Sequence, residues 1–207
     1  MATEITEKQI IKEVFPGCYF TGSNDAIVPV EKGLVVGLYL QKMRYRPDYV
    51  KIHLYNKLAL NFDTAAMLNV HIIRFDHDEA WLRSNLLDNL TLAKSKIADA
   101  MATMNSLEKF SSQAMHRYAS NSGIQGLYEL VASHYLNSSC RLPNIALTKA
   151  DLICHLNITR KFEEDMVERV ICLASEWNDS DFIVKRDAKI QEWLSVNKLP
   201  SNWFNML

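Results

Sequence analysis

The chain has 207 residues, 48% of them hydrophobic and 23% charged, with a formal net charge of -1. That balance suits a globular protein of one large or two small domains. It excludes attraction to nucleic acid or acidic lipid by overall charge, and no run reaches the roughly 18 consecutive apolar residues of a membrane helix.

The N-terminal segment MATEITEKQIIKEVF lacks the charged-then-apolar order of a secretion signal. A soluble, cytoplasmic protein is expected. Cys18, Cys140, Cys154 and Cys172 show no metal or redox spacing. In a reducing compartment they are expected as buried thiols.

Residues 4–14 read as a short helix ended by Pro16-Gly17. From there to about residue 75 the pattern is β-rich. Ala26–Val30 is short and apolar, and Leu34–Gln41 follows a Lys32-Gly33 turn. Tyr49–Tyr55 alternates, with Val50, Ile52 and Leu54 opposite Lys51 and His53, and Met67–Phe75 alternates more loosely. Short alternating runs between turn residues are strands. Several without intervening helices predict a small sandwich or roll.

Asp76-His77-Asp78-Glu79 then offers a capping box. From Ala80 to about Phe110 there is neither glycine nor proline. Leu86, Leu90, Ala93, Ile97, Ala100, Met104 and Leu107 recur at alternating steps of four and three. This is a heptad seam on a helix of about 45 Å. It predicts a symmetric homodimer interface; the alternative is packing on the chain's own sheet. Met115 to about Asn121 reads as a connector. Gly123–Gly126 opens a helix through Leu127–Leu136, which ends at Asn137-Ser138-Ser139.

Leu147–Ile190 carries the functional signal. Thr148 can cap a helix over Lys149–Leu156, with Leu152, Ile153 and Leu156 inward. Asn157-Ile158 is a tight turn. Thr159 can cap a second helix with Phe162, Met166, Val167, Val170 and Leu173 on its apolar face. Two short capped helices across a tight turn are a helix-turn-helix layout. Trp177–Ser180 is turn-prone. Phe182–Val184 reads as a strand, Lys185-Arg186-Asp187 as a tip and Ala188–Ile190 as a return strand, together a wing.

In that layout the second helix enters the major groove and its first residues reach base edges. Thr159, Arg160 and Lys161 occupy that end, and Arg160 suits guanine or a phosphate. The helix starts at Thr148 and Thr159 offer N–H groups to phosphate oxygens. Lys149, Lys185, Arg186 and Lys189 can neutralise the DNA backbone. Against this, Glu163, Glu164, Asp165 and Glu168 follow on the same helix. From residue 117 onward ten Lys and Arg face eleven Asp and Glu, so the segment has no basic surplus.

The run LTKADLICHLNITRKFEEDMVERV followed by DFIVKRDAKI resembles the winged helix of the bacterial Crp/Fnr regulators. The tail KIQEWLSVNKLPSNW is similar to the end of the inhibitor of peroxide resistance group within that wider family. The resemblance implies an α+β chain in three parts: a degenerate cyclic-nucleotide-binding-like β-roll over 1–76, a dimerisation helix over 77–116, and a C-terminal winged helix-turn-helix over 117–207. It implies transcription regulation by a homodimer on double-stranded DNA. The acids on the second helix keep open a different use of the same fold, as an interaction module for another regulatory protein.

No cofactor is expected. Arg74 is the only arginine placed for a cyclic-nucleotide phosphate late in the roll, and it lacks the surrounding pattern. The cysteines are too dispersed for an iron–sulfur cluster. His71 and His77, on either side of Asp76, fit surface or capping roles better than a metal site. There is no phosphate loop, Gly-x-Ser-x-Gly or His-Glu-x-x-His, so no enzyme is expected. Consecutive acids at 163–165 point around a helix rather than at each other.

Overall fold

The computed structural model describes residues 6–60, 73–74, 81–82, 86–120, 123–144 and 147–206. The fold is mixed α+β. The expected strand start at Met67, the Asp76–Glu79 capping box, and His71 and His77 lie outside the described residues.

Thr6 caps α1 (Glu7–Val14). The Gln9 N–H donates to Thr6 Oγ1 at 3.4 Å, and the Thr6 N–H donates back to Gln9 Oε1 at 2.8 Å. Strands follow at β1 (Tyr19–Phe20), β2 (Asp25–Glu31), β3 (Leu34–Met43), β4 (Arg46–Leu58), β5 (Ile73–Arg74) and β6 (Trp81–Leu82). They form one antiparallel sheet in the order β1-β2-β3-β4-β5, with β6 also paired to β4. Alternation on β3 and β4 sends Val36, Leu38, Leu40, Ile52 and Leu54 into a core with Ile10, Ile11, Val14 and Phe15 of α1. On the other face Gly37 admits the Tyr55 ring: a Cβ there would stand 2.0 Å from Tyr55 Cζ. Tyr55 donates to Asp25 Oδ1 at 2.9 Å and so links β4 to β2.

The predicted single long helix is two. α2 spans Leu86–Ala102 and α3 spans Leu107–Tyr118. Thr103 donates its hydroxyl to the Ala100 carbonyl, and Ser106 accepts from the Lys109 N–H as a new N-cap. Local side-chain bonds of this kind offer the backbone an alternative to helix, and here they end one and start the next.

The seam is used differently from expectation as well. Ile97, Ala100 and Met104 are buried in the core with α1 and the sheet strands. Leu107 is buried at the start of α3. Ile97, Ala100 and Met104 therefore serve the packing alternative, and Leu107 is buried within the helical unit instead of against the sheet. Leu86, Leu90 and Ala93 lie on the first turns of α2, where only the backbone is described.

Downstream come α4 (Gly123–Leu136), α5 (Lys149–His155), α6 (Lys161–Glu176), α7 (Phe182–Val196) and a 3₁₀ turn at Trp203–Met206. Contacts divide the chain into two units: 1–57 with 62–105 and 194–207, and 58–61 with 106–193. In the first unit, Trp203 packs edge-on to Tyr19 with ring centroids 5.6 Å apart. In the second, α3 and α4 are joined by a buried ion pair between Arg117 and Glu129. Burial pushes the Glu129 carboxyl above its usual range, against the pull of Arg117.

The predicted wing is absent: residues 182–196 are helix α7. Phe182–Val184 is too short an apolar run to separate strand from helix, and Lys185-Arg186-Asp187 lacks the Asn-Gly or Gly chemistry of a tight hairpin. Helical spacing puts Phe182, Ile190 and Trp193 inward and leaves Ile183 and Val184 exposed at 60% and 70%. Asp179 accepts from the Asp181 N–H at 3.1 Å and its carbonyl accepts from the Phe182 N–H, which starts the helix.

Candidate nucleic-acid interface

Within the second unit α4, α5 and α6 make a three-helix arrangement. Thr148 caps α5 as expected, with its hydroxyl accepting from the Asp151 N–H at 3.2 Å. Leu156–Arg160 then turns the chain, and Asn157 takes a left-handed backbone with φ 50°. That conformation suits asparagine far better than a branched residue. Ile158 tucks under the turn, buried, and its N–H donates to the Ile153 carbonyl at 3.0 Å.

The turn is longer than the sequence predicts, and this moves the cap. Arg160, not Thr159, is the N-cap of α6, and no side chain accepts from its first N–H groups. Thr159, Arg160 and Lys161 stand exposed at the head of α6. Arg160 and Lys161 make no ion pair among the described residues. A polar groove of about 500 Å³ opens beside them, lined by Tyr118, Ser120, His155, Asn157, Thr159, Arg160 and their neighbours. Tyr118 Oη and His155 Nε2 lie 3.3 Å apart across it. Sequence reading misses Tyr118, Ser120 and His155, because only the fold brings the α3 end against the α5–α6 turn.

The other expected phosphate contacts hold internal partners. Lys149 pairs with Glu168. Lys185 pairs with Asp179, Arg186 with Asp187 at 3.1 Å, and Lys189 with Glu176 at 3.1 Å. With α7 in place of a wing, Lys185, Arg186 and Lys189 lie on a helix rather than on a hairpin. Lys149 and Lys185 stand in exposed pairs that solvent screens, so these two can exchange a carboxylate for a phosphate, whereas the Lys189–Glu176 pair is mostly buried. What they cannot do is supply net charge.

Helical spacing fixes what α6 shows to solvent. Met166, Val167, Val170 and Leu173 face in, while Lys161, Glu164, Asp165, Glu168 and Cys172 face out. The outward face is acidic beyond its first turn. Cys172 and Cys154 are exposed and Cys18 is half-buried, so only Cys140 is the buried thiol that was expected. Helical register turns Cys154 and Cys172 outward, and Cys18, between α1 and β1, is only part-covered against the core of the sheet.

α7 is held against α4 and α6 through one carboxylate. Glu176 Oε2 accepts from the Tyr135 hydroxyl at 2.8 Å, and Oε1 accepts from Lys189 Nζ at 3.1 Å. Burial pushes the Glu176 carboxyl up, but the Tyr135 and Lys189 hydrogen bonds outweigh it and hold it below its usual range. Such a group stabilises the fold above the ordinary carboxylate pKa and loses that contribution as pH falls through its lowered value. Glu176→Gln is therefore expected to cost about 1–2 kcal/mol at neutral pH and to flatten the acid limb of the stability curve. Urea melts at neutral and acid pH check both.

No family model, curated protein or solved structure matches the chain. Among the described residues no group of three or more His, Cys, Asp or Glu is arranged to hold a metal ion. No described helix is long and apolar enough to cross a membrane.

Proposed function

We propose that the chain is a DNA-binding transcription regulator that reads a duplex through the head of α6. It acts as a homodimer without a cyclic-nucleotide or iron–sulfur effector. The observation that carries this is the α5–turn–α6 geometry, with Thr159, Arg160 and Lys161 exposed beside a polar groove. Those residues are where a recognition helix places its base contacts. A two-fold pair would form at the start of α2, through Leu86, Leu90 and Ala93, since the rest of the seam is engaged within the chain.

The test is selection from random duplexes with sequencing of the recovered sites. A two-fold symmetric site is expected, and Arg160→Ala should relax one base position at a cost of about 1–3 kcal/mol. An unchanged footprint would remove Arg160 from the interface.

A second reading is favoured by Glu164, Asp165 and Glu168 on the outward face of α6 and by exposed Ile183 and Val184 on α7. Acids repel phosphates, and exposed apolar pairs are better matched by a protein surface. On this reading the helical unit binds another regulatory protein. Folded protein that enriches no site at low salt would favour it.

A further inference from the structure

Tyr118 and His155 reach the α6 head from two other helices. Tyr118 is the last residue of α3 and His155 the last of α5, and both line the polar groove that Arg160 lines from α6. With 3.3 Å between Tyr118 Oη and His155 Nε2, the two side chains act as one hydrogen-bonding unit. His155 is exposed, and its Nδ1 has no partner among the described residues.

The charges that face this imidazole are few. Arg160 and Glu163 line the groove from α6, one of each sign. α3 supplies the Tyr118 hydroxyl, while Gly123 and Ile124 of α4 bring no charge. On α5 itself, Asp151 one turn back is occupied by the Thr148 hydroxyl. With His155 neutral, the charged side chains lining the groove cancel. Protonation of His155 leaves one positive charge uncancelled.

The proton also decides which donors are free. A neutral imidazole has one N–H and one acceptor nitrogen. If Nε2 accepts, the Tyr118 hydroxyl proton is spent on it and only the Nδ1–H is free. If Nε2 donates, the Tyr118 hydroxyl is free but Nδ1 carries a lone pair. A protonated imidazole donates from both nitrogens, so the Nδ1–H and the Tyr118 hydroxyl are free together. Two donors and a positive charge suit the oxygens of a phosphodiester.

We infer that Tyr118 and His155 form a phosphate-binding pair beside the α6 head, engaged when His155 is protonated, so that duplex binding tightens as pH falls. The inference rests on the reading of α6 as a DNA-binding helix. It adds a backbone contact and a pH dependence to that reading.

The experiment measures binding of the full chain to a labelled random-sequence duplex over a salt series, at about pH 8 and about pH 6, across the range in which histidine gains its charge. For the native chain the dependence of log K on log salt should be steeper by about 1 at the lower pH. His155→Gln should give the same slope at both, and the control His116→Gln should behave as the native chain does. Tyr118→Phe should keep the change of slope and bind about fivefold more weakly at the lower pH. Circular dichroism at each pH checks folding. A native chain whose slope does not change with pH, or a change that survives in His155→Gln, would overturn the inference and leave the α6 reading standing. No duplex binding by the native chain at either pH would remove both. A pH dependence lost in His155→Gln, with an unchanged footprint in Arg160→Ala, would uphold the pair and remove Arg160 from the interface.

Discussion

Gly126→Ala is expected to destabilise the helical unit by about 3 kcal/mol, at the upper end of the usual overpacking range. Two effects compete. Alanine inside a helix is favoured over glycine by about 1 kcal/mol. Against this, a Cβ at 126 would stand 2.1 Å from the Tyr118 backbone nitrogen and 2.6 Å from the Arg117 carbonyl carbon. Both obstacles are backbone, so no rotamer change relieves them, and α3 must move away from α4. The sign is therefore loss of stability, read as a lowered urea midpoint. The same movement displaces Tyr118, so a fold that survives should also show an altered α6-head groove. A midpoint raised by the helix-propensity amount would show that the helices are not in close approach at this point.

Glu129→Ala is expected to cost about 3–5 kcal/mol, the range found when one partner of a buried ion pair is removed. The Glu129 side chain is 1% exposed and that of Arg117 11%. Gln125 also donates to Glu129 Oε1 at 3.2 Å. Truncation leaves the guanidinium inside the unit with no counter-charge. Replacing both charges by apolar residues of similar size, Arg117→Met with Glu129→Leu, should recover most of the loss. Denaturant melts of the two single variants and the double variant give the coupling directly. A double variant as unstable as Glu129→Ala would mean that the carboxylate acts through something other than Arg117.

Much of this fold is legible from residue pattern. Alternation at Ile52 and Leu54 marks the inner face of β4, and the apolar run Leu34–Gln41 marks β3 as a strand. Thr148 and the spacing of Met166, Val167, Val170 and Leu173 mark α5 and α6. These signals are local, and the local preference agrees with the tertiary outcome. The errors fall where it does not settle the matter. Phe182-Ile183-Val184 favours a strand by β-branching, yet the next turns, through Ile190 and Trp193, carry it into a helix. The heptad seam has the same form whether a stripe faces a second copy or the chain's own sheet. Pattern reports that a face is apolar and is silent on what covers it.

By itself the sequence determined the mixed α+β class, the inward face of β4 at Ile52 and Leu54, and the two helices around Asn157, because each depends on contacts within a few residues. Tertiary structure decided the break between α2 and α3, the helix in place of a wing, the inward use of Ile97, Ala100 and Met104, and the meeting of Tyr118 with His155. Those outcomes depend on which distant surfaces bury one another, and burial is a property of the whole fold rather than of any one segment.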